Sequence, residues 1–126
     1  MSRVTVAAIQ SRFTDDMAKD IARIVDLVGE AARRGARVVL PPELFQGHYF
    51  CRTENEEFFR RAHPTAEHPA VLAMQEAARR HGVVIPTSYF EKDGPHYYNS
   101  MALVDADGTV LVGDSEAHRV RVIRRR

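Results

Sequence analysis

The chain has 126 residues, with 44% hydrophobic and 28% charged side chains, which is ordinary globular composition and the size of one domain. No apolar run approaches the ~18 residues of a membrane span, and a lone cysteine, Cys51, excludes an intrachain disulfide and a cysteine-rich zinc site. The net charge of +1 divides unevenly: residues 1–116 hold all 17 acids against 13 bases, whereas residues 117–126 hold five arginines and no acid. Sixteen of the 18 basic side chains are arginine, leaving Lys19 and Lys92 as the only lysines. The opening Met-Ser-Arg leads into an alternating strand-like run and not a signal peptide, so a cytoplasmic location is expected.

Residues 3–10 are β-branched and nearly continuous in apolar character, which predicts a first strand buried on both faces. Thr14 or Asp15 is expected to cap a helix whose apolar stripe holds Met17, Ile21, Ile24, Val25, Val28 and Ala32. Gly35 suits its exit. Residues 36–41 form a second strand, and strand, helix and strand in about forty residues predict a parallel βαβ unit. Residues 42–68 break the pattern, with room for a short helix near 54–62. Pro69 then opens a second helix, with Val71, Leu72, Met74, Gln75 and Ala78 assigned to one face and Gly82 at its end. Residues 83–90, 97–104 and 109–113 read as three further strands, the last two joined by Asp105-Ala106-Asp107-Gly108. The order β-α-β-α-β-β-β predicts an α/β fold. The alternating Arg/Val text near 119–123 has nothing after it to support, so residues 114–126 are expected to be a frayed tail.

Chemistry concentrates after the second strand. Glu43 stands just beyond the carboxyl end of a buried parallel strand, where ligands of open α/β sheets bind. Pro41 and Pro42 stiffen the approach and Gly47 permits a tight turn. A carboxylate held there can act as a general base; the structural alternative pairs Glu43 with a backbone amide or an arginine.

The run Pro41-Pro42-Glu43-Leu44 resembles the glutamate motif of the nitrilase superfamily, the carbon–nitrogen hydrolases. Its continuation through Phe45-Gln46-Gly47-His48-Tyr49-Phe50-Cys51 is similar to the N-carbamoylputrescine amidase branch. Val4-Thr5-Val6-Ala7-Ala8-Ile9-Gln10 is like the family's opening strand. Ala62-His63-Pro64 and Glu67-His68-Pro69-Ala70-Val71 resemble its loop into the second helix. The runs Gly82–Glu91, Tyr98-Asn99-Ser100 and Val104–Leu111 resemble its third strand and the hairpin after it. The resemblance covers about residues 3–111.

What the resemblance implies is the N-terminal part of an α-β-β-α sandwich and an amide hydrolase with a Glu-Lys-Cys triad, needing neither metal nor coenzyme. The cysteine attacks the carbamoyl carbon, the glutamate moves protons, and the lysine stabilises the oxyanion. The implied substrate is a small carbamoyl amine. The general base maps onto Glu43, and His48 and Tyr49 are carried over as substrate-binding residues, with loop polarity as the alternative for both. The lysine and nucleophile map onto nothing: the lysine's place reads Val112–His118, Lys19 belongs to a helix and Lys92 to a turn. Cys51 accompanies the glutamate motif without a triad role and reads as an idle thiol.

The division that follows is a partial carbon–nitrogen hydrolase domain over 1–113 and an aberrant basic tail over 114–126, with residues 112–126 read as out-of-frame translation of the segment that once encoded the lysine. The chain alone is expected to be inactive. The alternatives are another amidase branch, or a non-catalytic half-domain that forms a homo-oligomer or joins a full-length homologue through a sheet face left exposed. The six scattered histidines lack metal-site spacing. The arginine tail lacks the aromatics and motif of a specific nucleic-acid binder, leaving only salt-sensitive sticking to polyanions.

Overall fold

The structure, a computed structural model, describes residues 2–114 and 119–123, with side chains described as far as Gly113. Helix α1 (Met17–Arg33) connects strands β1 (Val6–Ala8) and β2 (Val38–Leu40), which pair in parallel with Val6 opposite Val38. The cap of α1 is Asp16, whose side chain accepts from Lys19 N, one or two positions later than the sequence suggests. Thr14 is displaced from that role because its backbone N and its hydroxyl both donate to the buried carboxylate of Asp20. Gly35, at φ 93°, follows the helix as expected.

Helix α2 (Pro69–His81) starts on Pro69 and ends at Gly82 in the left-handed conformation. Met74, Val71 and Ala78 are fully buried with Gln75 beside them, an i, i+3, i+4, i+7 stripe. Leu72 falls one position off that stripe and is 40% exposed, against the sequence expectation. Gln75 donates through Nε2 to Gly108 O at 2.8 Å, tying α2 to the turn at 105–108.

Strands β3 (Ile85–Asp93), β4 (His96–Val104), β5 (Val110–Asp114) and β6 (Arg119–Ile123) form an antiparallel meander. A parallel bridge between Val38 and Val84, with Val39 N donating to Val84 O at 2.9 Å, joins this meander to β2. Strand β6 corrects the frayed-tail expectation for Arg119–Ile123, which pair with Val110–Asp114. The edge of β5 offers a row of unpaired backbone groups, and the next segment of alternating sequence satisfies them without needing a following element.

Alternation divides the sheet into two unlike faces. On one, Val39, Ile85, Tyr89, Ala102, Val104, Val110 and Val112 pack with Ile24 and Val28 of α1 and Met74 of α2 in one core. Each fully buried Val or Ile there contributes about 1.5–3 kcal/mol. On the other, Val6 (69% exposed), Leu40, Met101 and Leu103 meet no covering layer among the described residues. The expectation of a first strand buried on both faces is therefore corrected: helices cover only one side of β1.

Candidate active site

The loop after β2 is laid along the edge of β3. Leu44 N donates to Ser88 Oγ at 3.2 Å, and Gln46 donates through Nε2 to Ser88 O at 3.0 Å while accepting from Phe90 N. Further along, His63 N donates to Phe90 O and Lys92 N donates to His63 O, so the loop is stitched to β3 at both ends. Leu44 and Phe45 are buried beneath it. Leu44 takes φ 48°, a left-handed conformation that costs a non-glycine residue roughly 1–2 kcal/mol. The cost is borne directly beside Glu43, and burial of the Leu44 side chain offsets it.

This geometry sets Glu43 over the uncovered sheet face. Its Oε1 accepts from Asn99 Nδ2 at 2.8 Å, and Asn99 Oδ1 in turn accepts from Ser88 Oγ at 3.3 Å. Ser88 and Asn99 belong to neighbouring strands, near-opposite in the β3–β4 register. A cleft of about 340 Å³ opens here, lined by Leu40, Pro41, Glu43, Ser88, Asn99 and Met101. Among the described residues, Glu43 pairs with the neutral amide of Asn99 and with neither a backbone amide nor an arginine.

Of the other sequence candidates, Tyr49 comes close enough to Glu43 to feel its charge. A hydrogen bond with the Cys51 thiol and the negative charges around it push the Tyr49 phenol above its usual range. His48 turns the other way: its Nε2 lies 3.9 Å from Asp15 Oδ1, on the same carboxylate that Arg61 approaches at 3.8 Å. Gly47 makes room for that arginine, since a Cβ there would lie 2.5 Å from Arg61 Nη1. Cys51 is exposed in the 3-10 turn Phe50–Arg52. Lys19 lies on α1, and Lys92, at the far end of β3, sits over the Tyr97 ring at 5.9 Å. Neither lines the Glu43 cleft.

Sequence reasoning does not single out Ser88, Asn99 or Gln46, which do the holding. Asn99 was legible only as part of a hairpin motif; its signal is the alternation that places it on the same face as Met101 and Leu103. Among the described residues, no group of three or more His, Cys, Asp or Glu could hold a metal ion. No helix there is long and apolar enough to cross a membrane.

The chain is 49% identical over 108 residues to N-carbamoylputrescine amidase of Solanum tuberosum, covering 86% of this chain and 36% of that protein. It is 36% identical over 118 residues to a citrullinase of Francisella tularensis, covering 94% of this chain and 41% of that protein. A carbon–nitrogen hydrolase structure from Helicobacter pylori superposes with a TM-score of 0.75 at 24% identity, over 92% of this chain and 38% of that one. This chain therefore spans well under half the length of these relatives. The carbon–nitrogen hydrolase family pattern matches residues 4–125, past Val112, where the motif-by-motif resemblance ends. With an α/β architecture of nitrilase type and a family match over nearly its whole length, the chain belongs to the carbon–nitrogen hydrolases.

Proposed function

We propose that this chain supplies the general-base side of an amide-hydrolysing site, with Glu43 as the proton-transferring carboxylate and a small carbamoyl amine as the substrate. The observation that carries the reading is the Asn99–Glu43 hydrogen bond at the floor of an open cleft. It orients one carboxylate oxygen and, among the described residues, leaves the other without a partner, to take a proton from a nucleophile or return it to a departing amine. Similarity to N-carbamoylputrescine amidases favours N-carbamoylputrescine, whose hydrolysis gives putrescine, carbon dioxide and ammonia, a step of polyamine biosynthesis. Tyr49, exposed on the same loop, is assigned to the substrate. His48 is assigned to the rim of the same loop.

In this reading the residues present do not turn over substrate by themselves. The attacking thiolate and the oxyanion-stabilising lysine of the family's chemistry have no counterpart beside Glu43, where neither Cys51 nor either lysine lines the cleft. Neither metal nor coenzyme is called for, and the cytoplasm is the proposed location. Incubating the purified chain with N-carbamoylputrescine tests this: no ammonia above the uncatalysed rate is expected. Ammonia release that Glu43→Gln abolishes would uphold the base and overturn the inactivity, and release indifferent to Glu43→Gln would overturn both.

A second reading rests on the uncovered face of Val6, Leu40, Met101 and Leu103. It makes the chain a half-domain that associates through that face with a second copy or a full-length homologue. Citrullinase similarity keeps a different carbamoyl-bearing substrate in view.

A further inference from the structure

A buried titratable cluster that the proposed chemistry does not use lies where residues 62–68 run onto β3. His68 is fully buried and Glu91 is 4% exposed. The Glu91 carboxylate accepts from Thr65 Oγ1 at 2.7 Å and from Ser100 Oγ. Thr65 has one hydroxyl proton and gives it to Glu91, so the Tyr89 phenol donates to Thr65 Oγ1, also at 2.7 Å. The His63 and His68 rings stand edge to face at 5.3 Å, and His68 lies 5.3 Å from the Tyr89 ring. His63 directs Nδ1 at Arg61 O, 3.1 Å away.

The seat of His68 fits only a neutral ring. Its Nδ1 accepts from Ala70 N at 3.1 Å and so caps α2; a backbone N–H can only donate, so Nδ1 carries no proton. A proton there would set donor against donor and remove the cap. It would also place positive charge at the positive end of the helix. Glu91 of β3 and the Phe90 carbonyl favour the charged ring, but burial and His63 outweigh them. The first turn of α2 supplies no acid, and Glu67 of the preceding turn is exposed. A charged His68 has to reach water, and the chain around it has to move for that.

That chain shares one edge of β3 with the Glu43 loop. Gln46 donates through Nε2 to Ser88 O and accepts from Phe90 N. Next along the same edge, His63 N donates to Phe90 O at 3.3 Å and His63 O accepts from Lys92 N at 3.0 Å. Phe90 joins the two, its N serving Gln46 and its O serving His63. We propose that the His63–His68 pair is a proton-operated latch: proton uptake by His68 frees residues 62–68 from the edge of β3 and slackens the loop that carries Glu43. That the slackened loop is catalytic rests on the function proposed above; the opening of the β3 edge does not.

Native-state amide exchange of the full 126-residue chain, in low urea at pH 7 and pH 5, tests the latch at the amides of Leu44, His63, Phe90 and Lys92. Opening confined to this edge gives them lower protection and weaker urea dependence than the Ile24 and Val28 amides of α1. With His68 titrating at 6.5 when released and at about 4 when seated, their protection should fall about 20-fold from pH 7 to pH 5. His68→Asn, which keeps a capping acceptor, is expected to abolish the fall. His63→Gln, which removes the opposing neighbour, is expected to reduce it. Edge amides that exchange only together with the core, no fall in the parent chain, or a fall undiminished by either substitution overturns the proposal. A fall at His63 and Lys92 that spares Leu44 and Phe90 overturns the coupling to the Glu43 loop. None of these results depends on Glu43 being the reacting base, which the ammonia assay of Glu43→Gln decides separately.

Discussion

Asn99 donates from Nδ2 to Glu43 Oε1 at 2.8 Å, joining residues 56 apart in sequence and clamping the loop after β2 to the middle of β4. Because Asn99 is itself held by Ser88, and Ser88 also accepts from Leu44 N, one short chain of hydrogen bonds fixes both the glutamate and the strained residue after it. Asn99→Ala should therefore free the Glu43 side chain before it harms the fold. The expected loss of stability is about 1 kcal/mol, the net worth of an ordinary hydrogen bond, because this one is exposed to solvent. Side-chain relaxation measured by NMR should show Glu43 rigid in the parent chain and mobile in the variant. A Glu43 side chain equally mobile in both would remove the clamp.

His68 predicts an acid limit to stability. It is fully buried and caps α2 by accepting from Ala70 N through Nδ1. Burial is the main cause, and the nearby His63 the second, that lowers its pKa from 6.5 to about 4. The unfolded chain binds the proton more readily than the folded one, so this stability is complete above pH 6.5 and is lost as pH falls from there to about 4. The shift corresponds to about 3 kcal/mol across that window. His68→Asn keeps a capping acceptor and removes the titration, so urea unfolding at pH 7 and pH 5 should show a smaller difference than in the parent. An undiminished difference would assign the pH dependence to other groups.

The uncovered sheet face predicts association. Leu40, Met101 and Leu103 are each 40–46% exposed, and Val6 is 69% exposed on the same face. A patch of this kind on an isolated chain is an interaction surface or an aggregation liability. Sedimentation should show concentration-dependent association of the parent chain, reduced by Met101→Lys with Leu103→Lys. A parent chain that stays monomeric and melts cooperatively would contradict this.

The helices and strands were legible because their signals are local. The stripe from Ile21 to Val28, Pro69 at the second helix start and the glycines at 35 and 82 each act within one or two turns. Glu43 was legible through its motif, and its place beyond β2 follows from the βαβ unit alone. Its partners were not, because the Asn99–Glu43 and Ser88–Leu44 contacts depend on how a 27-residue irregular segment lies on β3, and periodicity says nothing about that. The cap of α1 moved from Thr14 to Asp16 because Asp20, buried and in need of donors, captures Thr14. Strand β1 was misread as doubly buried because apolar composition records what a face can bury, not whether a layer is there to cover it. Strand β6 was missed because its partner edge, and not its own continuation, stabilises it.

The most direct test of Glu43 as the reacting carboxylate places residues 1–111 into the potato N-carbamoylputrescine amidase, in exchange for its matching segment, so that the rest of that enzyme completes the site. The account predicts a folded chimera that releases ammonia from N-carbamoylputrescine, with Glu43→Gln lowering the rate by about 10²–10⁴-fold, the range of a lost general base. A folded, active chimera whose rate is unchanged by Glu43→Gln would contradict it.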